Sequence, residues 1–186
     1  FMEQKAKTVS TFANLPFEVT NAAEKPAQMG LVTLETDLTI ETEMRHFLSG
    51  ASGHNDASGV ALLHTRIACD DQVTAENLSL MEGRFADALA LFPKDYTFEV
   101  IGYGCTSASL VIGEARVQQI IQSNADVAHV TTPLTAAKRG LAALNVARIG
   151  YLAPYISEIS HQMCDEFGAA GFAVSAAATF GEGRDS

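Results

Sequence analysis

The sequence predicts an α/β protein built on parallel β-sheets. Short apolar segments typical of buried strands alternate along the chain with segments of helical character, and this alternation is typical of strand–helix–strand units. The pattern starts over around residue 129, and RIGYLAPY (148–155), near the start of this second pass, resembles the strand, turn and polar helix start of MGLVTLET. We therefore expect an N-terminal arm over 1–27, a first α/β half over 28–128 and a partial second half over 129–186.

The predicted strands are short apolar runs bounded by polar or glycine-containing turns, as buried parallel strands are. The segment 49–59 (SGASGHNDASG) follows the first helix and is rich in Gly, Ser, Asn and Asp, which predicts a flexible loop. In chain order the strands are predicted at 29–33 (MGLVT), 60–67 (VALLHTRI), 96–104 (YTFEVIGYG), 125–132 (ADVAHVTT), 147–154 (ARIGYLAP) and 172–180 (FAVSAAATF).

The segments between the strands are predicted as helices, and two of them carry clear signals. Thr36, Asp37 and Thr39 are cap-type residues that precede apolar side chains at helical spacing over 40–48. The segment 74–92 begins with a threonine and has an amphipathic pattern. Further helices are predicted over 114–122, 133–144 and 156–171, with Gly113 marking a break before the first of them.

The composition disfavours several classes of function. The net charge of −10 argues against nucleic acid and against an anionic membrane surface, because phosphates need a basic face. No run approaches the roughly eighteen apolar residues of a membrane span, and the N-terminus lacks a signal-peptide pattern. An acidic protein still binds an anionic substrate where amides and hydroxyls face the ligand.

The cysteines do not indicate a disulfide or metal framework. Cys69, Cys105 and Cys164 are odd in number and widely spaced, which fits a reducing cytoplasm. Neither Cys-x-x-Cys nor His-Glu-x-x-His occurs, and the five histidines are scattered, so no metal site is expected. Phosphate-binding GxGxxG and GxxxxGKS/T loops are also missing from the sequence. We expect no cofactor.

The segment EVIGYGCTSASLVIGEAR carries the strongest indication of chemistry. A strand runs through Gly104 into Cys105, and the polar residues Thr106 and Ser107 follow at the start of a helical turn. Ligands of parallel α/β sheets bind beyond the carboxyl ends of the strands, and free amides at a helix start stabilise a thiolate or a carboxylate. The alternative is that Cys105 is a small buried apolar residue and that the hydroxyls only cap a helix.

These residues resemble a known family. GYGCTSASLVIG is similar to the first cysteine motif of the aspartate/glutamate racemase superfamily, and most closely to the branch of maleate cis-trans isomerases, arylmalonate decarboxylases and ectoine-utilisation proteins. MGLVTLETDLTIETEM resembles the first strand and loop of this branch, HTRI the end of its second strand and TTPLTAA the entry of its second half. YLAPY resembles the strand-turn that bears its active-site tyrosine. The resemblance covers roughly residues 15–183.

The resemblance implies two pseudo-symmetric flavodoxin-like halves with the active site between them and one cysteine supplied by each half. Cys105 would be the cysteine of the first half and would act as a base or a nucleophile. Thr106 and Ser107 would donate hydrogen bonds to a substrate carboxylate, and Tyr155 would donate its phenol.

Two features of the sequence depart from the pattern that the resemblance implies. Thr36 and Asp37 occupy the strand-1 loop as substrate-binding candidates, where maleate isomerases usually have Ser and Asn, and the carboxylate of Asp37 would repel a diacid. The cysteine of the second half is expected beyond Ser186. Cys164 lies inside a predicted helix, and Cys69 begins a loop, so both are expected to be structural.

Other polar residues are weaker candidates. His64 and Arg66 end the second strand, and Arg66 could bind a carboxylate with two hydrogen bonds, although a structural ion pair is favoured. His54 in the flexible loop is more simply explained as solvated. A further group of acids fits the charge preference of a helix N-terminus better than general-base catalysis; these are Glu35, Glu41 and Glu43.

The predicted function is cofactor-independent racemisation, cis-trans isomerisation or decarboxylation at the carbon next to a carboxylate, through the Cys105 thiolate. The substrate would be a small carboxylic or dicarboxylic acid. No nucleic acid or membrane partner is expected, and the sequence does not decide whether the protein forms a homo-oligomer. The main alternative is a non-catalytic α/β module that binds a small carboxylate. A third is a flavodoxin-like nucleotide or flavin binder, which the missing phosphate loop disfavours.

Overall fold

A four-stranded parallel sheet forms the centre of the structure. The computed structural model describes residues 13–18, 26–51 and 59–184. The sheet has the strand order β2-β1-β3-β4, and every neighbouring pair is parallel. Its strands are β1 (Ala27–Leu34), β2 (Val60–Ile67), β3 (Phe98–Tyr103) and β4 (Val127–Thr131). The predicted parallel α/β class is confirmed.

A second sheet has two parallel strands, which are β5 (Arg148–Tyr155) and β6 (Ala173–Glu182). The segment 125–132, predicted to open the second half, supplies β4 and pairs with β3 in the first sheet. The predicted boundary at residue 129 therefore falls inside β4. The division of the chain into two halves stays a prediction.

The helices follow the strands as the sequence predicts, with one difference. They are α1 (Ile40–Ala51), α2 (Ala75–Leu80), α3 (Phe85–Leu89), α4 (Thr106–Ile112), α5 (Glu114–Asn124), α6 (Pro133–Ala143) and α7 (Ser157–Ala169). The helix predicted over 74–92 is divided by a 3₁₀ turn over Met81–Arg84. Gly83 lies in this turn and has low helix propensity, and the turn keeps Met81 and Phe85 both buried. Gly113 separates α4 from α5 as predicted, with a positive φ of 89°.

The core lies between the first sheet and its helices. Val32 of β1, Ile101 of β3, Phe85 of α3 and Val117 of α5 are completely buried in it. A smaller cluster joins α6 and α7 to the second sheet through Leu134, Met163, Phe167 and Phe172. Leu152 and Phe180 of the second sheet are 67% and 78% exposed.

Some predictions fall on residues outside the described part of the chain. Most of the predicted arm over 1–27 lies there, as does His54 with most of the predicted loop over 49–59. Residues 13–18 are exposed and form no regular element.

Candidate active site

Cys105 lies at the carboxyl end of β3, where the chain turns into α4. It is the N-cap residue of α4, and its sulfur accepts the backbone N–H of Ala108 at 3.4 Å. The Ser107 hydroxyl lies 3.7 Å from the same sulfur. Gly104 donates its N–H to the carbonyl of Val32 at 2.7 Å, which ties the turn to β1. A Cβ atom at Gly104 would lie 2.8 Å from Cδ1 of Ile40, so close packing with α1 favours glycine here.

A cavity of about 160 Å³ lies at this edge of the sheet. Its wall includes the ends of β1 and β3, the loop after β2, helix α2 and the end of β5. Cys105 is only 5% exposed, yet it belongs to the wall of this cavity and is not sealed in the apolar core. The full lining is Leu34, Cys69, Asp70, Gln72, Val73, Asn77, Leu78, Met81, Gly104, Cys105, Thr106, Ser107 and Tyr155.

The structure brings four of the six predicted site residues together. Cys105, Thr106, Ser107 and Tyr155 all line the cavity. Tyr155 comes from the end of β5, and its half-buried ring packs against the first core. The cavity therefore combines residues of both sheets, although the sequence segments are about fifty residues apart.

The other two predicted site residues, Thr36 and Asp37, do not line the cavity. Oδ1 of Asp37 accepts the backbone N–H groups of Thr39 at 2.8 Å and Ile40 at 2.9 Å. Asp37 therefore caps the start of α1, a role for which its side chain is well suited. The Thr36 hydroxyl lies 3.5 Å from the sulfur of Cys69.

Arg66 makes structural contacts. Its Nη1 donates to the carbonyl oxygens of Leu34, Glu35 and Asp37 at 2.7–3.1 Å. Its Nη2 lies 2.7 Å from Oε1 of Glu41, which also lies 3.2 Å from His64. The structural ion pair favoured from the sequence is therefore present, and Arg66 holds the loop between β1 and α1.

Tyr103, the last residue of β3, was not singled out from the sequence and contacts Met81 of the cavity wall. It is 1% exposed, and its phenol donates to the sulfur of Met81 at 3.6 Å. Burial raises the pKa of Tyr103 strongly, and Cys105 raises it further. The sequence does hint at this position of Tyr103. Residues two apart on a strand share a face, and Tyr103 stands two positions before Cys105.

The two remaining cysteines occupy different places. Cys69 is half-buried on the cavity wall, and its backbone N–H donates to Glu35 at 3.0 Å. Sequence reasoning favoured a packing role for it and missed this position, because the loop after β2 has no periodic pattern. Cys164 lies on α7 outside the cavity, where burial, and then the charge of Asp165, raise the pKa of its thiol.

The described residues contain no group of three or more His, Cys, Asp or Glu side chains that could hold a metal ion. In the same residues, no helix is long and apolar enough to cross a membrane.

Comparison with known proteins identifies the fold. No protein-family model and no curated protein sequence matches the chain. A maleate cis-trans isomerase from Nocardia farcinica with bound TRIS is 25% identical over 85% of this chain and 65% of its own, with a TM-score of 0.71. Another structure of that enzyme, a cysteine-to-serine variant with a covalently bound succinylcysteine intermediate, is 24% identical over 86% of this chain and 66% of its own, with a TM-score of 0.73.

A more distant similarity extends to arylmalonate decarboxylase. A liganded variant of that enzyme is 15% identical over 86% of this chain and 64% of its own, with a TM-score of 0.59. The chain thus spans less than two thirds of the length of these proteins. It has the flavodoxin-like α/β fold of the maleate isomerases and arylmalonate decarboxylases, and the resemblance to the aspartate/glutamate racemase superfamily is confirmed.

Proposed function

We propose that the protein is an enzyme of the aspartate/glutamate racemase superfamily that uses Cys105 to act at the carbon beside a carboxylate of a small acid. The observation that carries this proposal is that Cys105, Thr106, Ser107 and Tyr155 line one cavity. A thiol, two aliphatic hydroxyls and a phenol are the groups that such a reaction needs: one nucleophile or base, and several donors for the anion that forms.

The charges around the cavity fit this chemistry. Among the described residues, the lining contains no Lys, Arg or His, and its carboxylate, Asp70, is paired with Arg84 at 2.7 Å. A substrate anion would therefore be held by neutral donors, among them the amide of Asn77. Neutral donors disperse the charge of an enediolate, and the small volume favours a small acid.

The surroundings of the Cys105 sulfur favour its ionised form. The N–H of Ala108 points at the sulfur from the first turn of α4, and the Ser107 hydroxyl lies nearby. Hydrogen bonds donated to a charged group favour that charged form, and a thiolate is the nucleophilic form of cysteine.

Three reactions are compatible with this arrangement. A thiolate that removes the α-proton leaves an enediolate, and return of a proton to the other face gives racemisation. Loss of carbon dioxide from a malonate gives a similar anion, which a Cys105 thiol would protonate. A thiolate that adds to a double bond gives a rotatable single bond, and its elimination gives the other geometric isomer. The succinylcysteine intermediate of the similar maleate isomerase supports the third reaction.

The test is proton NMR of the purified protein in D₂O with maleate, an α-amino diacid and an arylmalonate as separate substrates. Deuterium at the α-carbon reports proton abstraction, new alkene resonances report isomerisation, and shifted aryl resonances of the monoacid product report decarboxylation, because its α-carbon takes up a deuteron from the solvent. Turnover of at least one substrate is expected. Binding of these acids without any turnover would overturn the proposal and favour a carboxylate-binding module.

Matched cysteine variants assign the activity to one sulfur. Cys105→Ala is expected to lose turnover by a factor of about 10³ or more, as removal of a nucleophile does. Cys164→Ala, which changes a thiol outside the cavity, is expected to retain turnover. Equal turnover in the Cys105→Ala variant and the unaltered protein would show that another group performs the reaction.

A further inference from the structure

Asp70 brings a negative charge to the wall of the cavity that is proposed to hold a substrate anion. Within the described part of the chain, it is the only charged residue among those that line this cavity. A carboxylate without a partner here would repel the carboxylate of a substrate, and this repulsion is stronger beside a protein wall than in bulk water. Binding of an acid therefore requires that the charge of Asp70 be offset.

The offsetting charge comes from Arg84, the last residue of the 3₁₀ turn that begins at Met81. Residues three apart in a 3₁₀ helix lie on the same side, so the turn that places Met81 on the cavity wall also brings Arg84 to the loop after β2. Nη2 of Arg84 donates to Oδ2 of Asp70 at 2.7 Å, and Nη1 donates to the carbonyl oxygen of Ala68 at 3.0 Å. One guanidinium therefore holds both the carboxylate and the backbone of this loop.

Arg84 does not itself line the cavity, so it acts on a bound acid through Asp70. The Asp70 and Arg84 side chains are 38% and 30% exposed. This partial shielding from solvent limits the screening of their charges by salt, and a guanidinium stays protonated throughout the pH range in which proteins fold. The cavity wall near Asp70 is therefore close to neutral while Arg84 is present.

We propose that Arg84 is a positioning residue that sets the charge preference of the cavity. By pairing with Asp70 it neutralises the carboxylate of the wall and holds it in place, and the cavity can then accept an anionic acid. The inference rests on the proposed function, because that proposal supplies the anionic substrate.

Other contacts hold the loop after β2 when Arg84 is replaced. The backbone N–H of Cys69 donates to Oε1 of Glu35 at 3.0 Å, and the backbone N–H of Val73 donates to the carbonyl oxygen of Gly183 at 2.9 Å. Neither contact involves Arg84. We therefore expect the main effect of removing the guanidinium to be the uncompensated charge of Asp70, and not a displaced loop.

The test uses succinate as the probe, because it is a small dicarboxylate without a reactive double bond. The quantity measured is the succinate concentration that halves the rate of Cys105 alkylation by iodoacetamide. In Arg84→Met this concentration is expected to rise by about threefold to tenfold, as one unpaired and partly solvated charge would cause. An unchanged concentration would overturn the inference.

Arg116→Met is the matched control for the loss of one positive charge. Arg116 pairs with Glu82 at 2.5 Å, and neither residue lines the cavity. The succinate concentration for half-protection is expected to stay the same in this variant. A rise as large as that in Arg84→Met would show that net charge, and not the pair with Asp70, controls binding, and it would overturn the inference.

The double variant Arg84→Met with Asp70→Asn separates the charge from the structure of the loop. It removes both members of the pair, so the concentration for half-protection is expected to return to within about twofold of that of the unaltered protein. A double variant that binds succinate as weakly as Arg84→Met would show that Arg84 only supports the loop, and this would overturn the inference.

Asp70→Asn alone provides a second test that does not depend on the folding of Arg84→Met. The amide keeps an acceptor oxygen for Arg84 and removes the negative charge, which leaves the positive charge of Arg84 uncompensated. The concentration for half-protection is expected to fall by about twofold to fivefold. An unchanged or higher concentration would overturn the inference. Circular dichroism of each variant verifies folding.

Turnover in the same samples separates the two proposals. Turnover that depends on Cys105, with unchanged succinate protection in Arg84→Met, overturns the inference about Arg84 and leaves the proposed function standing. Weakened protection in Arg84→Met that the double variant restores, in a protein that turns over no acid, supports the inference and contradicts the enzyme proposal. In an active protein, Arg84→Met should raise KM and leave kcat within a few-fold.

Discussion

The sulfur of Cys105 accepts the backbone N–H of Ala108, so the atom proposed to react is also the cap of helix α4. The same residue belongs to the cavity wall. Structure and chemistry therefore depend on different properties of one side chain: the cap needs an acceptor, whereas the reaction needs a thiolate. Substitutions that keep one property and remove the other can separate them.

Cys105→Ser is expected to retain the cap and lose turnover, because a hydroxyl accepts the Ala108 N–H but is a much weaker nucleophile. Cys105→Ala should lose both, with a free energy of unfolding lower by about 1 kcal/mol from the missing cap. Urea denaturation and turnover of each variant measure the two effects. A serine variant as active as the unaltered protein would contradict the role of the thiolate.

Asp37→Ala is expected to lower the free energy of unfolding by about 1 kcal/mol, because two backbone N–H groups at the start of α1 lose their acceptor. Asp37→Asn keeps an acceptor oxygen and should be close to the unaltered protein in stability. Both variants should leave KM within a few-fold, since Asp37 lies off the cavity wall. A large change in KM for Asp37→Asn at unchanged stability would instead support the substrate contact that the resemblance implied.

Thr33→Val is expected to leave stability unchanged or to raise it by up to about 1 kcal/mol. Within the described part of the chain, the buried hydroxyl of Thr33 has no hydrogen-bond partner. Thr65→Val is the matched control, because the buried Thr65 hydroxyl donates to the carbonyl of Ala88 at 2.8 Å and its loss should cost about 1 kcal/mol. Thermal unfolding of the two variants measures how far each substitution changes stability. An equal loss of stability in both variants would contradict the prediction that the Thr33 hydroxyl is unpaired.

Lys138 links α5, α6 and α7 through ion pairs with Glu114 and Glu166. Burial is the largest influence and lowers the pKa of Lys138, but hydrogen bonds and attraction from Glu114 and Glu166 outweigh it, so the pKa is raised overall. A raised pKa means that the folded state holds this proton more tightly than the unfolded state. The protonated Lys138 therefore adds to the free energy of unfolding at pH values below the ordinary lysine pKa. This contribution is lost as pH rises through the raised pKa of Lys138.

Lys138→Met is therefore expected to lower the free energy of unfolding at pH 8 by about 1 kcal/mol, a modest amount because the pairs are partly solvated. The difference from the unaltered protein should shrink at strongly alkaline pH. Lys94→Met, at an exposed position, serves as the control. A difference that stays constant up to the highest pH at which the protein folds would contradict the contribution of the Lys138 charge.

The order of strands and helices could be predicted because each has a local signal in the sequence. The strand at Val60–Ile67 was predicted with these bounds, and Gly113 was identified as a helix break. The pairing of the strands was harder to predict than their positions, because pairing depends on contacts between distant segments of the chain. For this reason the predicted boundary at residue 129 falls inside β4, which hydrogen-bonds to β3.

The candidate site was predicted where residues follow a strand end and was missed where they do not. Cys105, Thr106 and Ser107 are consecutive, so one strand–helix junction places them all. Cys69 belongs to an irregular loop, and Tyr103 reads as an ordinary strand residue, although its buried hydroxyl donates to the sulfur of Met81 at 3.6 Å. The ectoine-utilisation branch and a second reactive cysteine beyond Ser186 stay predictions.

The most direct test of the account is competitive alkylation of the folded protein with iodoacetamide at neutral pH, with and without a saturating small dicarboxylate. Mass spectrometry of the peptides gives a separate rate for Cys69, Cys105 and Cys164. Cys105 is expected to react fastest, and the dicarboxylate is expected to slow its reaction while leaving that of Cys164 unchanged. A Cys105 that stays unmodified, or that reacts at the same rate with and without the acid, would contradict a reactive thiolate facing a carboxylate-binding cavity.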